Sequence, residues 1–203
     1  MIGIINYGVG NLQSVKNSLD YLGIPNTIIS KPKEVNKCDK IILPGVGAFG
    51  PAMDKLTELG FSKKIKEFAG LKKPILGICL GMQLLFQTSE EGGIHQGLGL
   101  VKGKVLAFNK KVRDLPIPHV GWNNVYKDKT SLLFKNIDDN SCFYFVHSFY
   151  CEPADKSTVI ASTNYSIRFA AAIGKDKIFG CQFHPEKSQT AGLKLLENFD
   201  KLT

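Results

Sequence analysis

Long apolar runs are missing from this 203-residue sequence, and none approaches the ~18 residues a membrane span requires. The start, MIGIINYGVG, has no basic flank and meets glycine at once, so it reads as a first strand and not as a secretion signal. Paired cysteines are missing too. Cys38, Cys79, Cys142, Cys151 and Cys181 are odd in number, scattered and without a C-x-x-C pair, which fits reduced thiols in a cytoplasm better than a disulfide framework. Arginine is scarce: Arg113 and Arg168 are the only two in a chain of formal charge +8. Lysine carries the rest, spread along the chain. Nucleic-acid binding, which favours clustered and bidentate cations, is therefore not expected. A solvated surface is, with room for one face that docks an acidic or anionic partner.

Two phosphate signatures are also wanting. No G-x-x-x-x-G-K-[ST] occurs, and Tyr7-Gly8-Val9-Gly10 has Gln13 where a dinucleotide fingerprint needs its third glycine. Neither a cofactor nor a metal is expected. What is present is an ordinary globular composition, 43% hydrophobic and 22% charged, long enough to bury roughly 70% of its unfolded surface without staples.

The first half alternates strand-like runs with helical patterns. IGII (2–5), NTIIS (26–30), KIILPG (40–45) and PILGI (74–78) read as strands. NLQSVKNSLDYL, a stretch opened by Pro51 and running to about Ala69, and LGMQLLF read as helices. Such alternation implies a mostly parallel sheet covered on both faces. Beyond residue 100, GKVLAF, HVGWNNVY, CFYFVHSFY, TVIAS, FAAAIG and KIFGCQF suggest added antiparallel strands, and AGLKLLENFDKL closes the chain as an amphipathic helix. The expectation is one α/β domain over residues 1–203.

The chemistry concentrates at Gly77-Ile78-Cys79-Leu80-Gly81, where a strand should turn sharply into a helix. A thiol there is exposed at the top of the sheet, glycines relieve crowding, and the helix N–H groups favour thiolate. The N–H of Leu80 can serve as an oxyanion donor. A base is available in Phe183-His184-Pro185-Glu186, where proline ends the strand and Glu186 can orient the imidazole. Pro44-Gly45-Val46-Gly47 ends the third strand at the same sheet edge, as either a ligand loop or an ordinary connection.

The order Cys79…His184…Glu186, within G-x-C-x-G-x-Q and H-P-E, resembles the triad (class I) glutamine amidotransferases, and the sequence is similar to that family's pattern in both places. INYGVGNLQS, LPGVGAFG, PHVGWNN, YFVHSFY and CQFHPEKSQ, in order from residue 2 to about 200, further resemble the glutaminase subunits of imidazole glycerol phosphate synthases. Val120 and Phe149 depart slightly, where methionine and tyrosine are usual. The resemblance implies a flavodoxin-like class I amidotransferase fold, hydrolysis of glutamine by Cys79, His184 and Glu186, and oxyanion donors at Leu80 and Val46. It implies substrate contacts at Gly47, Gln83, His147, Ser148 and Phe149. For Glu91 a contact with the α-amino group stands beside a solvated acidic turn, and for His147 a positioning role outweighs that of a second base. His95 and His119 are read as structural or interfacial. The implied partner is a (β/α)8-barrel cyclase, with Asn11, Trp122 and Lys187 at the interface, although Trp122 as plain core packing is equally open. Paralogues with these motifs supply ammonia to sugar-modifying amidotransferases, and an inactive binding module on the same scaffold is the reading of a different class.

Overall fold

The computed structural model describes residues 1–108 and 115–202, so Arg113 lies outside the described residues. Strands β1 (Ile2–Ile5), β2 (Asn26–Ile29), β3 (Lys40–Leu43) and β4 (Ile75–Ile78) follow the four apolar runs, and all but β2 are almost wholly buried. They pair in parallel, as strands buried on both faces do. Helix α1 (Leu12–Tyr21) turns Val15 and Leu19 inward from an Asn11 cap.

The helical stretch expected after Pro51 is two helices, α2 (Phe49–Glu58) and α3 (Phe61–Gly70). Gly60, at φ +78°, breaks them apart in a left-handed conformation that costs glycine little. The helix expected from LGMQLLF is shorter still: α4 spans Leu80–Leu84 only, and Phe86 opens β5 (Phe86–Ser89). The cause lies in the apolar run itself. Leu84, Leu85 and Phe86 are fully buried, and their carbonyls accept from Leu98, Leu100 and Gly99 instead of from a further helical turn.

The second half supplies β6 (His95–Gln96), β7 (Val101–Ala107), β8 (His119–Lys127), β9 (Ser141–His147), β10 (Phe149–Pro153), β11 (Val159–Tyr165), β12 (Ile167–Lys175), β13 (Ile178–Cys181) and helix α5 (Gln189–Asp200). A nine-stranded sheet runs β2-β1-β3-β4-β13-β12-β11-β8-β9, parallel from β2 to β13 and antiparallel beyond. A second sheet, β10-β7-β5-β6, goes beyond the expected architecture. CFYFVHSFY, which reads as one strand, divides at Ser148 between the two sheets. Helices and the small sheet bury two apolar layers against the large one. Among the described residues no helix is long and apolar enough to cross a membrane.

Candidate active site

Strands β4 and β13 are parallel neighbours, with Ile78 opposite Cys181, so both chains leave the sheet at the same carboxyl edge. From β4 the chain enters Cys79 at φ +53°, ψ −111°, a conformation that costs a non-glycine residue about 1–3 kcal/mol. The surroundings hold it there. The Cys79 N–H donates to the Cys181 carbonyl at 2.8 Å, and the Cys79 carbonyl accepts from Met82 and Gln83. The flanking glycines are required by space: a Cβ on Gly77 would lie 2.6 Å from the Gly81 backbone, and one on Gly81 would run into the Leu43 carbonyl oxygen. Because α4 is so short, the positive potential at the sulfur comes from its first N–H groups and not from a long dipole.

From β13 the chain reaches His184 three residues later. Its Nδ1 pairs with Glu186 Oε1 at 2.7 Å, both side chains being almost fully buried. The His184 N–H donates to the Tyr144 carbonyl at 2.9 Å, while the Ser188 hydroxyl donates to the His184 carbonyl at 2.6 Å. Burial opposes the charged imidazolium, but hydrogen bonding and attraction from Cys79 and Glu186 outweigh it and raise the pKa to about 10. The link to Cys79 is one of proximity, since Nε2 is buried without a partner of hydrogen-bond geometry. It is thus the ring atom left over for the cleft.

That cleft, about 370 Å³, is lined by Cys79, Leu80, Gln83 and His184 from the two sheet-edge turns, by Val46 and Gly47 from the β3–α2 connection, by Glu91, and by His147, Ser148 and Phe149 from the β9–β10 break. Glu186 stands behind His184. Gln83 spends its amide on the Phe149 carbonyl (3.2 Å) and the Gln182 side chain (3.1 Å), so it frames the wall between Cys79 and Phe149. Glu91 is not a free acidic turn: its carboxylate accepts the Phe49 N–H at 2.8 Å, at the start of α2.

His147 is held at both nitrogens. Nδ1 pairs with the Phe149 carbonyl at 2.7 Å and Nε2 with His119 Nδ1 at 3.0 Å, while Asn123 Nδ2 lies 3.3 Å from His119 Nε2. One arrangement satisfies every atom: Nδ1–H donates on both rings, and Asn123 donates to His119. Burial lowers the pKa of His147 to about 3 and that of His119 to about 4, so both are neutral and His147 has no basic nitrogen to offer substrate.

Three residues of the site lie within the motif strings but carry no role in the sequence reading. Pro118 and Val146 line the cleft, and Gln182 Nε2 lies 3.7 Å from the Cys79 sulfur. Gln182 is within reach of sequence reasoning, two positions before His184 and just past the end of β13.

Asn11, Trp122 and Lys187 lie outside the cleft on the surface. Trp122 is 48% exposed, which removes the core-packing reading. It meets Tyr144 edge-on at 6.0 Å, and Lys187 Nζ lies 5.6 Å above the same ring. Val120 and Val146, paired in register beside Trp122 and Tyr144, are 56% and 36% exposed on that face. Since Val146 also lines the cleft, an exposed apolar patch runs up to its mouth.

The family profile described as "Glutamine amidotransferase class-I" matches residues 3–202. The chain is 51% identical to an "Imidazole glycerol phosphate synthase subunit HisH" of Sulfurimonas denitrificans, over 99% of this chain and 98% of that one. It is 44% identical to the protein of the same name from Bacillus subtilis, over 100% of this chain and 96% of that one. Among solved structures, PurLQS from Thermotoga maritima superposes with a TM-score of 0.76 at 17% identity, covering 98% of this chain and 96% of that one. A glutamine amidotransferase from the same organism gives 0.64 at 17%, covering 99% and 98%, and both show the shared fold. With an elbow cysteine and a paired histidine and glutamate at one sheet edge, and with these likenesses over its whole length, the chain belongs to the class I glutamine amidotransferases, in the family of imidazole glycerol phosphate synthase subunit HisH.

Proposed function

We propose that residues 1–203 form one glutaminase domain that splits glutamine through Cys79, His184 and Glu186 and passes the ammonia to the (β/α)8-barrel cyclase of an imidazole glycerol phosphate synthase, in the cytoplasm. The observation that carries this reading is the delivery of Cys79 and the His184–Glu186 pair into one cleft by adjacent parallel strands.

The Cys79 sulfur attacks the side-chain amide carbon of glutamine, and the negative charge moves to the carbonyl oxygen. The N–H groups of Leu80 and Val46 receive that charge, each worth about 10²–10³ in turnover. His184, holding the proton taken from the thiol, gives it to the amide nitrogen. The carbon–nitrogen bond breaks and ammonia leaves. Water, losing a proton to His184, then attacks the γ-glutamyl thioester, releasing glutamate and restoring the thiol. Glu186 keeps Nδ1 protonated so that Nε2 does this work. Glu91 and the backbone from His147 to Phe149 hold the amino acid, with Gln83 shaping the wall beside Cys79 and Gly47 giving it room.

Ammonia freed into neutral water is mostly protonated and no longer a nucleophile, so a docked synthase gains by taking it directly. The patch of Val120, Trp122 and Val146 at the cleft mouth, with Lys187 beside it, suits that docking, and exposed Asn11 is expected to join the contact. The partner then makes imidazole glycerol phosphate and an aminoimidazole carboxamide ribotide. The test is to measure glutamate production by this chain alone, with the cyclase, and with the cyclase plus its ligand. Stimulation at each addition is expected. Full activity in isolation, or stimulation only by a sugar-modifying synthetase, would overturn the assignment of the client.

A further inference from the structure

Tyr7, two residues beyond β1, is fully buried. Its hydroxyl donates at 2.9 Å to the carbonyl of Pro44, the first residue of the Pro44-Gly45-Val46-Gly47 segment. The same oxygen would lie 2.7 Å from a Cβ on Gly45, so it is packed directly on that residue. A Cβ on Gly10 would lie 3.4 Å from Pro44, which puts the Gly8–Asn11 turn against the segment as well.

We propose that Tyr7 is a positioning residue for the oxyanion donor at Val46, acting through its hydrogen bond to the Pro44 carbonyl. The inference rests on the glutaminase reading above. The segment is restrained at two points: Tyr7 holds Pro44 on one side, and Glu91 accepts the Phe49 N–H on the other. Between them Gly45 and Gly47, the latter at φ +94°, flank Val46 and leave its peptide as the part free to rotate. Fixing the Pro44 carbonyl anchors the Pro44–Gly45 peptide, so the direction of the Val46 N–H is set only by the bonds that flank the Gly45–Val46 peptide. Burial and the negative charge of an ionised Cys79 both raise the pKa of Tyr7, so it stays protonated and remains a donor throughout turnover.

The test compares wild type, Tyr7→Phe and Tyr7→4-aminophenylalanine in complex with the cyclase and its ligand. In Tyr7→Phe, kcat for glutamine is expected to fall about tenfold, less than outright loss of an oxyanion donor, with KM within about twofold. Alkylation of Cys79 by iodoacetamide, followed on its peptide by mass spectrometry, displaces iodide without forming an oxyanion. Its rate is expected to stay within about twofold. The 4-amino group keeps a donor at the same ring position and should restore kcat. An unchanged kcat, a parallel fall in alkylation, failure of the amino variant to rescue, or failure of Tyr7→Phe to fold would each overturn the proposal. Absence of turnover in wild type would instead overturn the glutaminase reading, before any variant is measured.

Discussion

At His184 two effects oppose one another, and their balance sets the charge of the site. Burial alone would strip the imidazole of its proton, yet two acidic neighbours keep it protonated to about pH 10. Replacing one of them tests the balance. Glu186→Gln removes a charge and the fixed tautomer, so kcat should fall at least about 10²-fold and the His184 pKa, followed by NMR titration, should drop. The three buried histidines also fix how stability changes with pH. His184 has a raised pKa, so its contribution is present below 6.5 and is lost as pH rises toward about 10. His119 and His147 have lowered values. Their contribution is present above 6.5 and is lost as pH falls toward about 4 and 3. Thermal melts across pH should therefore decline on both sides, and His119→Gln should flatten the acid limb between pH 6.5 and 4. Motif spacing makes the triad candidates legible, because H-P-E and G-x-C-x-G are local strings. The His119–His147 pair is not legible in that way: it joins residues 28 apart on facing strands, and only register brings them together.

The element that makes the site is the turn from β4 into α4, and it tolerates no side chain at its glycines. Gly81→Ala must displace either the Leu43 carbonyl or the elbow itself. It should cost about 2 kcal/mol or more in denaturant unfolding. The buried parallel strands are readable because continuous apolar runs bounded by glycine and proline have few other fates. The small sheet is not readable, for two reasons. Its β5 grows out of an apolar run that continues a helix without a break, and β6 is only two residues long. The β9–β10 division at Ser148 is hidden for a similar reason: an unbroken aromatic run gives no punctuation, although that division is what turns the His147–Phe149 backbone into the cleft.

For the whole molecule, lysine is spread over a +8 chain, and against it the Val120–Trp122–Val146 face beside the cleft stands out as apolar and exposed. A half-exposed tryptophan edge-on to Tyr144, whose ring also carries Lys187, is the kind of residue on which interfaces concentrate their energy. Trp122→Ala should weaken cyclase docking about 30-fold, roughly 2 kcal/mol, in a titration of stimulated glutaminase, while kcat at saturating cyclase is retained. Sequence pattern can nominate Trp122 but not expose it, since exposure depends on β8 and β9 forming the edge of the large sheet. Turnover in this scheme requires Cys79 to act as a nucleophile on glutamine. Incubation with 6-diazo-5-oxo-norleucine, a glutamine-shaped electrophile, followed by peptide mass spectrometry, tests that most directly. A single adduct on Cys79, blocked by excess glutamine and slowed in His184→Asn, is the predicted result. Modification of exposed Cys142 with Cys79 untouched would contradict the account.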